Sequence, residues 1–210
     1  MIITDKHIHI LQKAEELFAQ NGYEGTTVRD IATAADVNLA MISYYFGSKE
    51  KLIEILFKER MEGTKLRIEA VVNNQSILPF QKLEIIVDQY IERVFNSQDF
   101  YKVMLAQQML QKNEVIIRFM TQYKLSYATL IEEVIQEGRR LGHFSKDDID
   151  TLLLLTSMTG TVMHTVVSKD YYREFNKHNK LEEQDLDTVL KQKLSRHVKN
   201  IFKVTLGYEQ

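Results

Sequence analysis

The chain has 210 residues, 44% of them hydrophobic, with a formal net charge of −2, one proline and no cysteine. That length can bury a substantial core and lies between one domain and two, while the lack of cysteine excludes disulfides and thiolate metal sites and fits a reducing compartment without demanding one. Residues 1–58 carry Lys6, Lys13, Arg29, Lys49, Lys51 and Lys58 against eight acidic residues, which argues against a nucleic-acid-coating protein, because unspecific affinity comes mainly from cations neutralising phosphates.

The start, Met-Ile-Ile-Thr-Asp-Lys-His, has no basic stretch followed by an apolar one, and about 18 consecutive apolar residues occur nowhere, so a soluble cytoplasmic protein with no membrane partner is expected. His7 and His9 are two apart on a helix and face different directions, a poor metal pair that reads as solvated histidine. Val28, Ile31, Ala32 and Ala35 then recur at helical spacing, behind Thr26 or Thr27 as an N-cap. Asp36 ends that helix, since Asp tolerates the left-handed conformation a reversal needs. Asn38 caps a second helix of about two turns, and Val37, five positions before Ile42, has the spacing of a hydrophobic staple. With Ile42 and Phe46 turned inward, Leu39, Ala40, Ser43 and Tyr44 face out, and an outward face of small and aromatic residues without charge reads as a contact face. Ser48 caps the next helix, whose first turn carries Lys49. Two short helices, a tight turn and a capped third make a helix-turn-helix, which places side chains in the DNA major groove.

These residues resemble the DNA-binding domain of TetR-family transcriptional regulators. The pattern runs in order over about residues 4 to 60: Leu17-Phe18, Gly22-Tyr23, Thr26-Thr27-Val28 with Asp30-Ile31-Ala32, the aromatic pair Tyr44-Tyr45 before Phe46, and Ser48-Lys49-Glu50. Asp36, Asn38, Ala40 and Ser43 depart from it, standing where the family usually has Gly, Ser or Thr, Gly, and an aromatic. The first two keep the turn and cap chemistry, whereas Ala40 and Ser43 alter what is touched in the groove. The resemblance implies double-stranded DNA as a partner, read by residues 4–64 with the helix-turn-helix at about 27–46. Thr27, Tyr45 and Lys49 are expected to position phosphates and Arg29 to read guanine, while Asn38, Leu39, Ala40, Met41, Ser43 and Tyr44 lie at the groove face, where apolar groups can meet thymine methyls.

The rest of the chain reads as helix, so the fold class is all-α: an N-terminal three-helix domain and a C-terminal helical bundle over residues 65–210. A long helix from Ser48 to about Val72 precedes the break Asn73 to Pro79, and apolar-periodic segments follow at about 80–97, 99–112, 114–141, 146–168 and 184–205. Gly138 and Gly142 to Ser145 mark a stop and a restart, with Ser145 able to cap and Asp147, Asp148 and Asp150 suited to a helix N-terminus, and residues 169–183 are polar and aperiodic, hence a loop. The segment Ile149 to Val167 is apolar nearly all round, and with the last helix it matches the four-helix interface by which the resemblance implies a homodimer; two-fold symmetry then predicts an inverted-repeat operator. The resemblance also implies a small-molecule effector in a bundle pocket, for which Tyr90, Tyr101, Met104, Phe119, Tyr123, Tyr127, Met158, Met163 and His164 are the candidate lining, although aromatics and Met at helical spacing equally make ordinary core.

No His-Glu-x-x-His, Gly-x-Gly-x-x-Gly, Glu-x-x-His or phosphate-binding loop occurs, and His164 reads as a hydrogen-bonded core histidine. No catalytic residue, metal site or cofactor is expected. The sequence therefore points to a DNA-binding regulator, a repressor in the family's usual sense, released from its operator by an effector. A helical protein- or ligand-binding module without DNA recognition is the alternative, supported by the uncharged contact face.

Overall fold

The structure is a computed structural model describing residues 5–110, 114–177 and 181–209. Ten α-helices and no strand occur among the described residues. They are α1 (Asp5–Asn21), α2 (Val28–Ala34), α3 (Leu39–Phe46), α4 (Lys49–Val72), α5 (Pro79–Asn96), α6 (Gln98–Leu110), α7 (Glu114–Arg140), α8 (Thr151–Val167), α9 (Lys169–Phe175) and α10 (Glu183–Leu206). The chain forms two compact units, Met1–Thr64 with Asp99–Tyr123, and Lys65–Gln98 with Lys124–Gln210. The segment 99–123 thus departs from the expected continuous 65–210 domain.

In the first unit, α1 buries Ile10, Leu11, Ala14 and Phe18 along one stripe, and α2 and α3 close over it with Ile31, Ala32, Ile42 and Phe46. Leu52, Ile53, Leu56 and Phe57 carry the same core along α4. Two contacts explain why α6 and the start of α7 join this unit: Phe100 packs its ring 5.2 Å from that of Phe57, and the Tyr123 hydroxyl donates to Met61 O at 2.9 Å. The buried Glu15 of α1 accepts from Arg60 Nε at 2.8 Å. Burial nonetheless holds the Glu15 carboxyl above its usual range, with Arg60 opposing.

In the second unit, α10 packs against α5 and α8, and α5 also meets α8. Pro79 opens α5 with its preset backbone angle. The fully buried Lys82 donates to Val72 O at 2.8 Å and to Glu137 Oε2 at 2.7 Å, tying the end of α4 to α7. A lysine within an otherwise apolar α5 stripe gives no sign of its acceptors, which lie 10 and 55 residues away.

Three expectations need correction. First, α8 starts at Thr151 behind Asp150, whose side chain accepts from Leu153 N–H, and not at about 146 behind Ser145. Ser145 instead donates its hydroxyl to Gly207 O at 2.9 Å, and Lys146 N–H bonds Leu206 O, so these residues are held against the end of α10. Second, residues 169–175 are helical, because α9 is fixed by ion pairs from Lys169 and Arg173 to the start of α10. Third, α7 continues through Gly138 to Arg140; Gly138 ends nothing but leaves the space that the Phe144 ring fills.

Candidate nucleic-acid interface

The turn between α2 and α3 is built from local hydrogen bonds. Thr27, and not Thr26, caps α2: its hydroxyl accepts from Asp30 N–H at 3.2 Å, and Asp30 Oδ2 accepts from Thr27 N–H and from the Thr27 hydroxyl, both at 2.8 Å. These donors hold the Asp30 carboxyl below its usual range. Thr26 is buried and donates its hydroxyl to the Leu17 and Gly22 carbonyls, fixing the end of α1. Asp36 takes φ +50°, the left-handed geometry the reversal requires, and Asn38 Oδ1 accepts from Met41 N–H at 2.9 Å to cap α3. At the far end, Gly47 at φ +75° lets the chain turn into α4, and Ser48 Oγ accepts from Lys51 N–H.

Those constraints present one face of α3. Ala40, Ser43, Leu39 and Tyr44 are exposed, Tyr44 at 82%, while Ile42 and Phe46 are buried and Met41 and Tyr45 are half-buried. No side chain of α3 is charged, so the face offers one carboxamide at its cap, one serine hydroxyl, one exposed phenol and apolar surface. Arg29 is exposed on α2 and forms no ion pair or hydrogen bond among the described residues, which leaves all five of its donors available to an acceptor.

The phosphate-positioning candidates divide. Tyr45 packs edge-on against Tyr44, ring centres 5.3 Å apart, and against His7 at 6.0 Å. Lys49 donates to Tyr23 O at 2.9 Å and Thr26 O at 3.0 Å, with its ammonium 4.1 Å above the Tyr23 ring. Lys49 therefore braces the α1–α2 junction, and the Thr27 hydroxyl is committed to the cap. His7 is the residue that sequence reasoning missed: it is buried, not solvated, and stacks on Phe46 at 4.7 Å. Burial lowers its pKa, with Glu59 acting the other way. His9 is exposed, as the two-residue offset requires.

The candidate pocket residues fall in both units. Tyr101, Met104, Phe119 and Tyr123 belong to the first, and Tyr90, Tyr127, Met158, Met163 and His164 to the second. Tyr101, Tyr90, Met158 and Met163 are buried. His164 is exposed and so is not a core histidine: α8 turns it to the same side as Leu153 and Gly160. The second unit has a cleft of about 640 Å³ lined by other residues, among them Val72, Gln75, Glu132, Glu133, Arg140 and Leu152. Among the described residues no group of three His, Asp or Glu could hold a metal, and no single helix is long and apolar enough to cross a membrane.

Residues 10–56, which span α1 to the first part of α4, match the family described as "Bacterial regulatory proteins, tetR family". The Bacillus subtilis (strain 168) protein described as "Probable HTH-type transcriptional regulator YttP" is 33% identical over 133 residues, covering 62% of this chain and 63% of that protein. The fatty acid metabolism regulator protein of the same organism is 24% identical over 163 residues, covering 78% of this chain and 82% of that one. Among solved structures, the transcriptional regulator FadR from Bacillus subtilis in complex with stearoyl-CoA superposes with a TM-score of 0.67 at 23% identity, over 96% of this chain and 99% of that one, which shows a shared fold. Residues 10–56 of the chain thus carry the helix-turn-helix domain of the TetR family of bacterial regulatory proteins.

Proposed function

We propose that the protein is a homodimeric repressor that binds an inverted-repeat operator and leaves it when a small molecule occupies the C-terminal bundle. The observation that carries this reading is the capped, uncharged, outward face of α3 beside the unengaged Arg29. A face with so few charges gains little from phosphates in general, so its affinity depends on fitting particular bases. Arg29 reads guanine, and Ala40 and Leu39 meet thymine methyls; Asn38, Met41, Ser43 and Tyr44 complete the groove contacts, with Tyr45, Thr27 and Lys49 beside the backbone.

One short recognition helix contacts too few bases for a regulator, which favours a dimer. Two copies place their α3 helices about one helical turn of DNA apart, roughly 34 to 36 Å or a multiple. The exposed side of α8 supports this assembly: Leu152, Leu153 and Val167 are 57%, 65% and 48% exposed, and Gly160 between them faces open space. A glycine inside a helix costs about 1 kcal/mol relative to alanine, and close approach of a second backbone is a reason to keep one.

The effector class that the fatty-acid regulators among its relatives support is a long-chain acyl-CoA. Its effect is bounded by its preference for the form that does not fit DNA. Titration of a labelled operator complex with stearoyl-CoA tests it: release at micromolar ligand is expected, and a complex unmoved at saturating ligand rejects that class. At the DNA, Arg29→Ala is expected to cost about 1–3 kcal/mol on the preferred operator and little on random duplex, by fluorescence anisotropy. An equal loss on both would make Arg29 a phosphate contact.

A further inference from the structure

His7 of α1 lies directly behind the end of α3, with 1% of its surface exposed. Its ring stacks on Phe46 at 4.7 Å with the planes 23° apart, and meets Tyr45 edge-on at 6.0 Å. Tyr45 in turn packs edge-on against Tyr44 at 5.3 Å, and Tyr44 is the exposed aromatic of the groove face. An unbroken run of ring contacts therefore joins a buried histidine of α1 to the outward surface of α3.

Helix α3 has only eight residues, so tertiary packing and not propensity sets the position of its last turn. Phe46 closes that turn, just before the positive-φ Gly47, and His7 is what its ring rests on. A neutral imidazole suits such a site, whereas an imidazolium loses its hydration there. The groups around it are few. From α3 come only the uncharged Tyr45 and Phe46, whose rings offer a cation some attraction. Among the described residues Glu59 of α4 is the charge that acts on the ring, and it favours the proton; Asp5 and Lys6 on the same helix are exposed. Burial outweighs Glu59 and holds the His7 pKa below its usual 6.5.

We propose that His7 is a positioning residue for operator recognition: its neutral ring seats the last turn of α3, and its protonation loosens that turn and releases the operator. This rests on the DNA-binding reading above. The duplex needs α3 in its seated form, so it binds the protein with neutral His7 better and expels a proton where His7 carries one. Affinity is then complete above the His7 pKa and falls as pH drops through it, by at most about tenfold per pH unit for one linked proton. Ordinary electrostatics has the opposite sign, because exposed groups such as His9 gain charge on acidification and draw the protein to phosphates. The sign of the pH dependence thus separates a histidine that seats α3 from one that meets the DNA backbone.

Fluorescence anisotropy of the full chain at fixed salt tests this, with a labelled duplex retained by the protein from random sequence and an unselected duplex beside it. Between about pH 7.5 and about pH 5.5 the wild type is expected to lose about threefold to tenfold in affinity for the retained duplex, and none for the unselected one. His9→Gln is expected to keep that fall, and His7→Phe, which leaves a ring against Phe46, to lose it. A second readout needs no variant: calorimetry at about pH 6 in two buffers of different ionisation enthalpy is expected to show proton release when the wild type binds the retained duplex. The same pH profile in His7→Phe as in wild type, or proton uptake or no exchange in the calorimeter, overturns the role of His7 and leaves DNA recognition standing. A wild type that prefers no duplex sequence at any pH overturns the DNA-binding reading and the role of His7 with it.

Discussion

Asp30 and Asn38 fix the starts of α2 and α3 through bonds that span only three residues. The Asn38 side chain satisfies Met41 N–H at the start of α3, so Asn38→Ala is expected to destabilise the protein by about 1 kcal/mol in urea unfolding, while Asn38→Ser keeps the cap and most of that stability. The depressed Asp30 carboxyl contributes stability that is present above its usual value of 3.8 and lost as pH falls through the lower folded value. His7 acts nearer neutrality. Its folded pKa lies below 6.5, so the unfolded chain takes up the proton first. Its neutral form gives full stability above that value, and stability falls as pH drops below it. His7→Phe keeps the stack on Phe46 and is expected to flatten the pH dependence of the melting temperature between about pH 7 and pH 5; an unchanged slope would place the titration elsewhere. The caps at Asn38 and Ser48 and the turn at Asp36 were legible in the sequence because each acts on its near neighbours, and the cap of α2 was narrowed to Thr26 or Thr27. The burial of His7 was not, because Phe46 lies 39 positions away and helical spacing alone gives His7 no partner.

At the scale of elements, most helices could be traced from apolar periodicity, and the errors fell where distant contacts decide. Ser145 and three aspartates near it are all acceptable caps, and the bonds of residues 145 and 146 to the end of α10 select Asp150. Helix α9 is too short for its apolar spacing to stand out in the sequence, and ion pairs to α10 hold it. Lys82 is the strongest such case. Lys82→Ala is expected to cost about 3 kcal/mol or more in urea unfolding, because it strands Glu137 and the Val72 carbonyl in a largely buried site. A loss below about 1 kcal/mol would mean that water readily replaces the ammonium there. Gly160 makes the opposite prediction. Its surroundings in the protomer are open, so Gly160→Leu should raise the thermal stability of the monomer while blocking association, as read by sedimentation.

For the whole molecule, the all-α class and the N-terminal DNA-reading motif were evident from residues 26–52 with their caps, whereas the division into units was not. A helical stripe shows that a face is buried without naming what buries it, and α6 and the first part of α7 pack with Phe57 and Met61 instead of with the bundle that follows them. The pocket candidates fall in both units for the same reason: aromatic and Met content marks buried helix faces without naming which helices meet there. The proposed assembly rests on what the protomer leaves uncovered on α8, and the proposed operator on a face of α3 that carries no charge. Sequence-specific binding by a dimer is the claim on which the rest depends. Selection of the purified protein against random duplex DNA of about 30 base pairs at near-physiological salt, with sequencing of what is retained, tests it most directly. Enrichment of an inverted repeat with half-sites about one helical turn apart, or a small multiple, is the predicted result; a folded protein that retains no sequence above the starting pool would contradict it.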